Sequence, residues 1–150
     1  MSVSLAQRLH DDMVKAMKQR EKERLSVVRM LLAMVKDATI EKRAEPSDEE
    51  VLRMIQSYAK KREDAKKEAA RAGRDDLIAK EEFELSVLAD YLPQAMDDDE
   101  LKKLVEATIQ ELGASSMKDM GRVMKACQER AQGRADGTRI SAMVKPLLSG

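Results

Sequence analysis

His10 and Cys127 are the only histidine and the only cysteine in the chain, so the two side chains most used for metal binding and nucleophilic catalysis occur once each. A histidine-based metal cluster, or a serine or cysteine nucleophile served by a histidine base, therefore lacks members. His10 reads as a surface residue of the first helix. Cys127 falls on an apolar stripe, where a thiol fills space like a small apolar side chain and has no base to activate it. Asp97, Asp98, Asp99 and Glu100 form the densest acidic run. They are consecutive rather than spaced like the ligands of a cation loop, and their place at a helix start accounts for them through the helix dipole. No glycine-rich phosphate loop is present. The sequence thus offers no catalytic residue, no metal site and no cofactor site, and function is expected to lie in a surface.

The chemistry that remains is cationic. At 100° per residue, Met117, Met120, Gly121, Met124, Cys127, Gln128 and Ala131 share one broad helical face, expected to pack. Gly121, near the middle of that face, is expected to admit a neighbouring helix closely. Lys118, Arg122 and Lys125, with Glu129, fall on the opposite face. Arg130, Arg134, Arg139 and Lys145 follow, so the chain from Gly113 onward is basic although the whole carries 28 cationic and 28 acidic residues. Two readings stand: a solvated outer face, or a local phosphate-binding surface through Lys118, Arg122, Lys125, Arg134 and Arg139. A rival row runs through Arg53, Lys60, Lys61, Arg62, Lys66, Lys67 and Arg71. There Glu63, Asp64 and Glu68 stand at spacings for intrahelical ion pairs, which favours a solvated face. Aromatics are 2% of the chain, and Phe83, Tyr58 and Tyr91 do not supply a platform for stacking unpaired bases. RNA contact would then be to phosphates and shape.

The elements that must carry these residues are helical. Charged residues make up 37% of 150 residues and Ala, Leu, Met, Glu, Lys and Arg dominate, a bias of helix formers. Leu5, Leu9, Met13 and Met17 repeat every four residues in a first helix over about 4–20. Leu25, Val28, Leu31, Leu32, Val35 and Ala38 mark a second over about 23–43, apolar enough for a core position. Pro46 interrupts, and Ser47 with Glu50 reads as a capping box opening a third helix to about Ala72. Gly73 ends it, and Asp75 or Asp76 opens a fourth through Leu77, Ile78, Leu85, Leu88 and Leu92, closed by Pro93. The segment Leu92–Asp99 is the boundary, giving domains over 1–92 and 97–150. Beyond it Leu101, Leu104, Val105, Thr108, Ile109 and Leu112 form a fifth helix ended by Gly113. Ser116 with Asp119 caps a sixth, and Asp136 a seventh. With one cysteine and nothing like a signal peptide or a spanning apolar run, a reducing cytoplasm and no membrane association are expected.

GASSMKDMGRVM over Gly113–Met124 and GRADGTRI over Gly133–Ile140 resemble the tail domain of the GatB/YqeY family. EKERLSVVRMLLA and LADYLPQAMDDDEL resemble the stand-alone members of that family, so the resemblance covers nearly the whole chain. It implies an all-α fold, a four-helix bundle followed by a three-helix bundle. It also implies a translation context, because a related tail ends the B subunit of the amidotransferase that converts misacylated glutamyl- or aspartyl-tRNA to its amide. That tail is understood to touch the outer body of tRNA. On this resemblance the chain is expected to be a tRNA-associated binding module, with tRNA or a tRNA-processing complex as partner. The alternatives are a carbon-nitrogen ligase with glutamine as amido-N-donor, accessory to tRNA-dependent amidation, and a protein-binding helical adaptor. Two departures stand out: Arg134 occupies a position where lysine is common in the family, and Pro146 falls within the seventh helix, where it is expected to fray or kink the last turn.

Overall fold

Ser4 opens the first helix, its hydroxyl accepting the Gln7 amide at 3.1 Å. In the computed structural model, which describes residues 3–149, seven α-helices follow one another and, among the described residues, no strand forms. They are α1 (Leu5–Lys18), α2 (Lys22–Lys42), α3 (Asp48–Arg71), α4 (Asp75–Ala89), α5 (Asp98–Leu112), α6 (Met120–Ala131) and α7 (Gly137–Ser149). A single 3-10 turn, Met117–Asp119, leads into α6. None of these helices is long and apolar enough to cross a membrane. The chain divides into two compact units, one ending at Leu92 and one beginning at Pro93.

In the first unit the capping box at Ser47 has both its bonds, the Ser47 hydroxyl accepting the Glu50 amide and the Glu50 carboxylate accepting the Ser47 amide. The core gathers Leu9, Val27, Val28, Leu31, Val35, Val51, Ile55, Val87, Leu88 and Tyr91. Met17, expected on the packed stripe of α1, is instead 49% exposed, and Ala16 is buried. A strict four-residue spacing advances 40° per step, so the fourth member of such a stripe has rotated out and its neighbour has rotated in. Leu77 is likewise exposed, at the first turn of α4. That helix ends at Ala89 rather than running to Leu92. Here Arg8 donates to the Asp90 carbonyl at 2.6 Å, Arg24 pairs with the Asp90 carboxylate at 2.8 Å, and the Tyr91 hydroxyl donates to Asp12 at 2.5 Å. Those three ties anchor the two residues that follow α4, ahead of Pro93.

Of the seven cations in the rival row of α3, two reach carboxylates on α4, two pair along their own helix, and exposed Lys60, Lys61 and Lys67 have no carboxylate within ion-pair reach among the described residues. Arg62 lies 3.4 Å from Glu81 and 3.7 Å from Glu84, and Lys66 lies 3.5 Å from Glu82. Arg53 pairs with Glu49 and Arg71 with Glu68 within α3. Of the expected intrahelical partners, Glu68 pairs with Arg71, while Glu63 and Asp64 take part in none of these pairs.

The second unit has its own core: Met96, Leu101, Val105, Val123, Cys127, Ala131, Ile140, Val144 and Leu148. Asp97 caps α5 by accepting the Glu100 amide at 2.8 Å, and Gly113 ends it in the left-handed conformation at φ +64°. Residues 93–96 are held by this unit rather than hanging as a linker. Met96 is buried, and its amide donates to the Arg134 carbonyl at 2.8 Å. Pro146 sits on an exposed stretch of α7, which runs on to Ser149. The Ala142 carbonyl that loses its usual donor belongs to an exposed residue, so water can satisfy it.

Candidate nucleic-acid interface on the C-terminal unit

Five cations define the site expected from sequence, and the fold gives them different duties. Lys118 lies in the 3-10 turn before α6 rather than on the α-helix itself, its amide donating to the Ser116 hydroxyl at 3.3 Å. Arg122 and Lys125 lie on the first two turns of α6, and all three residues are exposed. Among the described residues, Lys118 and Lys125 have no carboxylate within ion-pair reach. Arg122 donates to Asp119 at 3.1 Å. The Asp119 carboxyl titrates below its ordinary range, chiefly because it accepts the Ser115 amide and then because of Arg122. An anion arriving at this face meets two unclaimed ammonium groups and one guanidinium shared with an acid.

Arg134 and Arg139 sit elsewhere, at the end of the unit where α5 begins. Gln132 and Gly133, at φ 50° and 80°, turn the chain back after α6. Arg134 then donates through Nε to the Gln94 carbonyl at 2.8 Å and through Nη2 to Glu100 at 2.8 Å. Arg139 donates to Asp98 at 3.0 Å. The acidic start of α5 is therefore partly neutralised by the very cations expected to meet phosphate. Arg130, also part of the basic tail, is engaged as well: it donates to the Thr108 hydroxyl at 3.0 Å and pairs with Glu111 at 2.8 Å.

The packing face of α6 is rotated from its expected position. Val123, Cys127 and Ala131 are buried, with Met120 and Met124 packed beside them, whereas Met117, Gly121 and Gln128 are exposed. A Cβ on Gly121 would meet nothing within 4 Å, so this glycine serves no close helix approach. The expected face omitted Val123, the one β-branched residue of α6, whose burial recentres the stripe. Cys127 is fully buried, and burial pushes its thiol up, with the Thr108 hydroxyl and Arg130 opposing that shift. Such a thiol stays protonated and unreactive at neutral pH. His10 is exposed, and no group of three or more potential metal ligands forms among the described residues.

The family model for Yqey-like protein matches residues 6–148. The chain belongs to the Yqey-like protein family. The match spans both units of this Yqey-like chain and so includes α1 through most of α7. The chain is also 29% identical over 146 residues to altered inheritance of mitochondria protein 41, mitochondrial, of Pyrenophora tritici-repentis, a match covering 94% of this chain and 79% of that protein. A shorter match, 32% identical over 79 residues, joins it to an uncharacterized protein of Schizosaccharomyces pombe and covers 53% of this chain and 64% of the relative.

Proposed function

We propose that this Yqey-like protein is a binding module without catalysis of its own, whose C-terminal three-helix unit contacts the phosphate backbone of a folded RNA of the tRNA class. The exposed ammonium groups of Lys118 and Lys125, without an ion-pair partner among the described residues and with Arg122 between them in sequence, are the observation that carries the reading. Two or three cations on one face give weak, sequence-tolerant and salt-sensitive attraction to phosphate. Arg134 and Arg139, held by Gln94, Glu100 and Asp98, fix the start of α5 and the turn before α7 and add only long-range charge to the site.

The same proposal takes the arrangement as four helices followed by three, and the setting as a cytoplasm that keeps Cys127 reduced. The relative's printed mitochondrial name concerns that protein. A ligase using glutamine would need an activated nucleophile, and neither buried Cys127 nor solitary His10 supplies one. The test is fluorescence anisotropy of labelled bulk tRNA against the purified chain at low salt, beside an assay for glutamine hydrolysis and amidation with ATP. Binding without turnover is the expected result. Turnover abolished by a substitution in this chain would overturn the non-catalytic reading, and absence of tRNA binding with a stoichiometric protein partner in pull-downs would replace it with the adaptor.

A further inference from the structure

Phe83 stands on α4 with 36% of its surface exposed, while Tyr91 is buried and Tyr58 half-buried beneath Arg62, 5.1 Å from the guanidinium carbon to the ring centre. Together with the turn residues Arg20, Glu21, Lys22, Glu23 and Arg24, the Phe83 ring lines an open cleft of about 410 Å³. That volume lies within the range of small-ligand sites, roughly 300–1,000 Å³.

The turn is built to a fixed shape. Arg20 adopts the left-handed conformation at φ 57°, held by its amide donating to the Met17 carbonyl at 3.2 Å and by the Glu21 amide donating to the Ala16 carbonyl at 3.0 Å. A non-glycine residue in that region carries strain, held here by the two backbone hydrogen bonds that close the turn. Arg24 is spent on Asp90. Arg20 and Lys22 are exposed, and among the described residues neither has a carboxylate within ion-pair reach. Glu21 and Glu23 interleave with them, so with Arg24 held by Asp90 the cleft lining carries two cations and two carboxylates. No side chain caps α2, so its first-turn amides add positive partial charge.

A partly exposed aromatic ring beside two unclaimed cations in one cleft fits a planar base joined to a phosphate better than it fits a bare anion or an aliphatic chain. We propose that the cleft between the α1–α2 turn and Phe83 holds one nucleotide, its base against the Phe83 ring and its phosphate at Arg20 and Lys22. The chemical class is a nucleoside monophosphate unit, presented either free or as a single unpaired nucleotide of an RNA strand. Stacking a run of bases would need several exposed rings, whereas the single ring of Phe83 accepts one base. This site stands independently of Lys118, Arg122 and Lys125, which lie in the other unit.

The experiment is a titration of the ¹⁵N-labelled full chain at low salt with adenosine monophosphate, with an eight-residue oligoadenylate, and with inorganic polyphosphate as a probe lacking bases. Expected are amide shifts confined to residues 18–24 and around Phe83 with a base-bearing probe. Phe83→Leu should weaken that binding roughly 5- to 150-fold, the span of a lost base–aromatic stack, while polyphosphate binding is unchanged. Arg20→Gln with Lys22→Gln should weaken all binding at the cleft. Saturation by the mononucleotide points to a free nucleotide, and a response to the oligonucleotide alone points to an unpaired RNA residue. The proposal is overturned if neither base-bearing probe shifts these amides in the wild-type chain, which needs no variant to fold. It is also overturned if Phe83→Leu, folded by circular dichroism, binds both as well as wild type does.

Discussion

Arg134 and Glu100 form an ion pair at 2.8 Å across 34 residues of sequence, and the same guanidinium donates to the Gln94 carbonyl. With the Arg134 carbonyl accepting the Met96 amide, one residue clamps the segment after Pro93 onto the turn between α6 and α7. A planar fork that reaches a carbonyl and a carboxylate at once is a task for arginine.

Arg134→Gln should therefore act on local stability more than on RNA affinity. With the side chain 33% exposed, the loss should be about 1 kcal/mol, since a charge-assisted hydrogen bond in that setting is screened by solvent. Hydrogen exchange at the Met96 amide is the sensitive readout, expected to speed up about fivefold. Arg139→Gln should cost less than about 0.5 kcal/mol, because Asp98 is 89% exposed. Unchanged Met96 protection in Arg134→Gln would mean that the clamp does not hold this segment.

Two glycines should respond with opposite signs. Gly121 is in α6 with open space around its missing Cβ, so Gly121→Ala should stabilise by up to about 1 kcal/mol through helix propensity. Gly73 also has room, but its φ of +67° makes Gly73→Ala destabilising by about 1–2 kcal/mol. Denaturant unfolding of both variants decides the matter, and a loss of stability in Gly121→Ala would revive the close-approach role.

Tyr91 predicts a dependence at high pH. Burial first, and then the hydrogen bond to Asp12, push its phenol well above the ordinary tyrosine range; burial and Glu84 push Tyr58 up as well. The folded state favours the neutral phenol, whereas an unfolded tyrosine ionises near pH 10. Their contribution is thus intact below about pH 10 and is lost as pH rises beyond it. Tyr91→Phe should cost about 1–2 kcal/mol at neutral pH and should show a shallower fall in stability between roughly pH 10 and 11 than wild type. Denaturant midpoints measured across that range would contradict the assignment if both proteins fell in parallel.

Helix punctuation was legible because it is local. Ser47 with Glu50, Asp97 before α5, and the left-handed Gly73 and Gly113 each act within a turn of their own position. Side-chain facing was read less well where a stripe drifts or recentres, as at Met17 and Ala16 or at Val123 and Gly121. Which cations stay free was illegible. Arg134 and Arg139 meet acids 34 and 41 residues away, a pairing that only the packing of α5 against the last two helices creates. Among the described residues Lys118 and Lys125 have no such partner, whereas Arg122 pairs with Asp119 three residues before it, a local spacing. The cleft at Phe83 depends on α4 meeting the α1–α2 turn, again a long-range event.

The most direct test of the account is the slope of log affinity for tRNA against log salt, compared between wild type and the Lys118→Gln, Arg122→Gln, Lys125→Gln triple variant. These side chains are exposed, so the variant should keep its helix content and unfold at nearly the wild-type midpoint, each exposed charge contributing less than about 0.5 kcal/mol. Its affinity should fall, and its slope should flatten by about two units, as expected for three lost phosphate contacts on an irregular backbone. Glutamine at Lys60, Lys61 and Lys66 of α3 serves as the control and should leave the slope close to wild type. An α3 variant that loses binding while the triple variant keeps it would contradict the assignment of the RNA surface to the C-terminal unit.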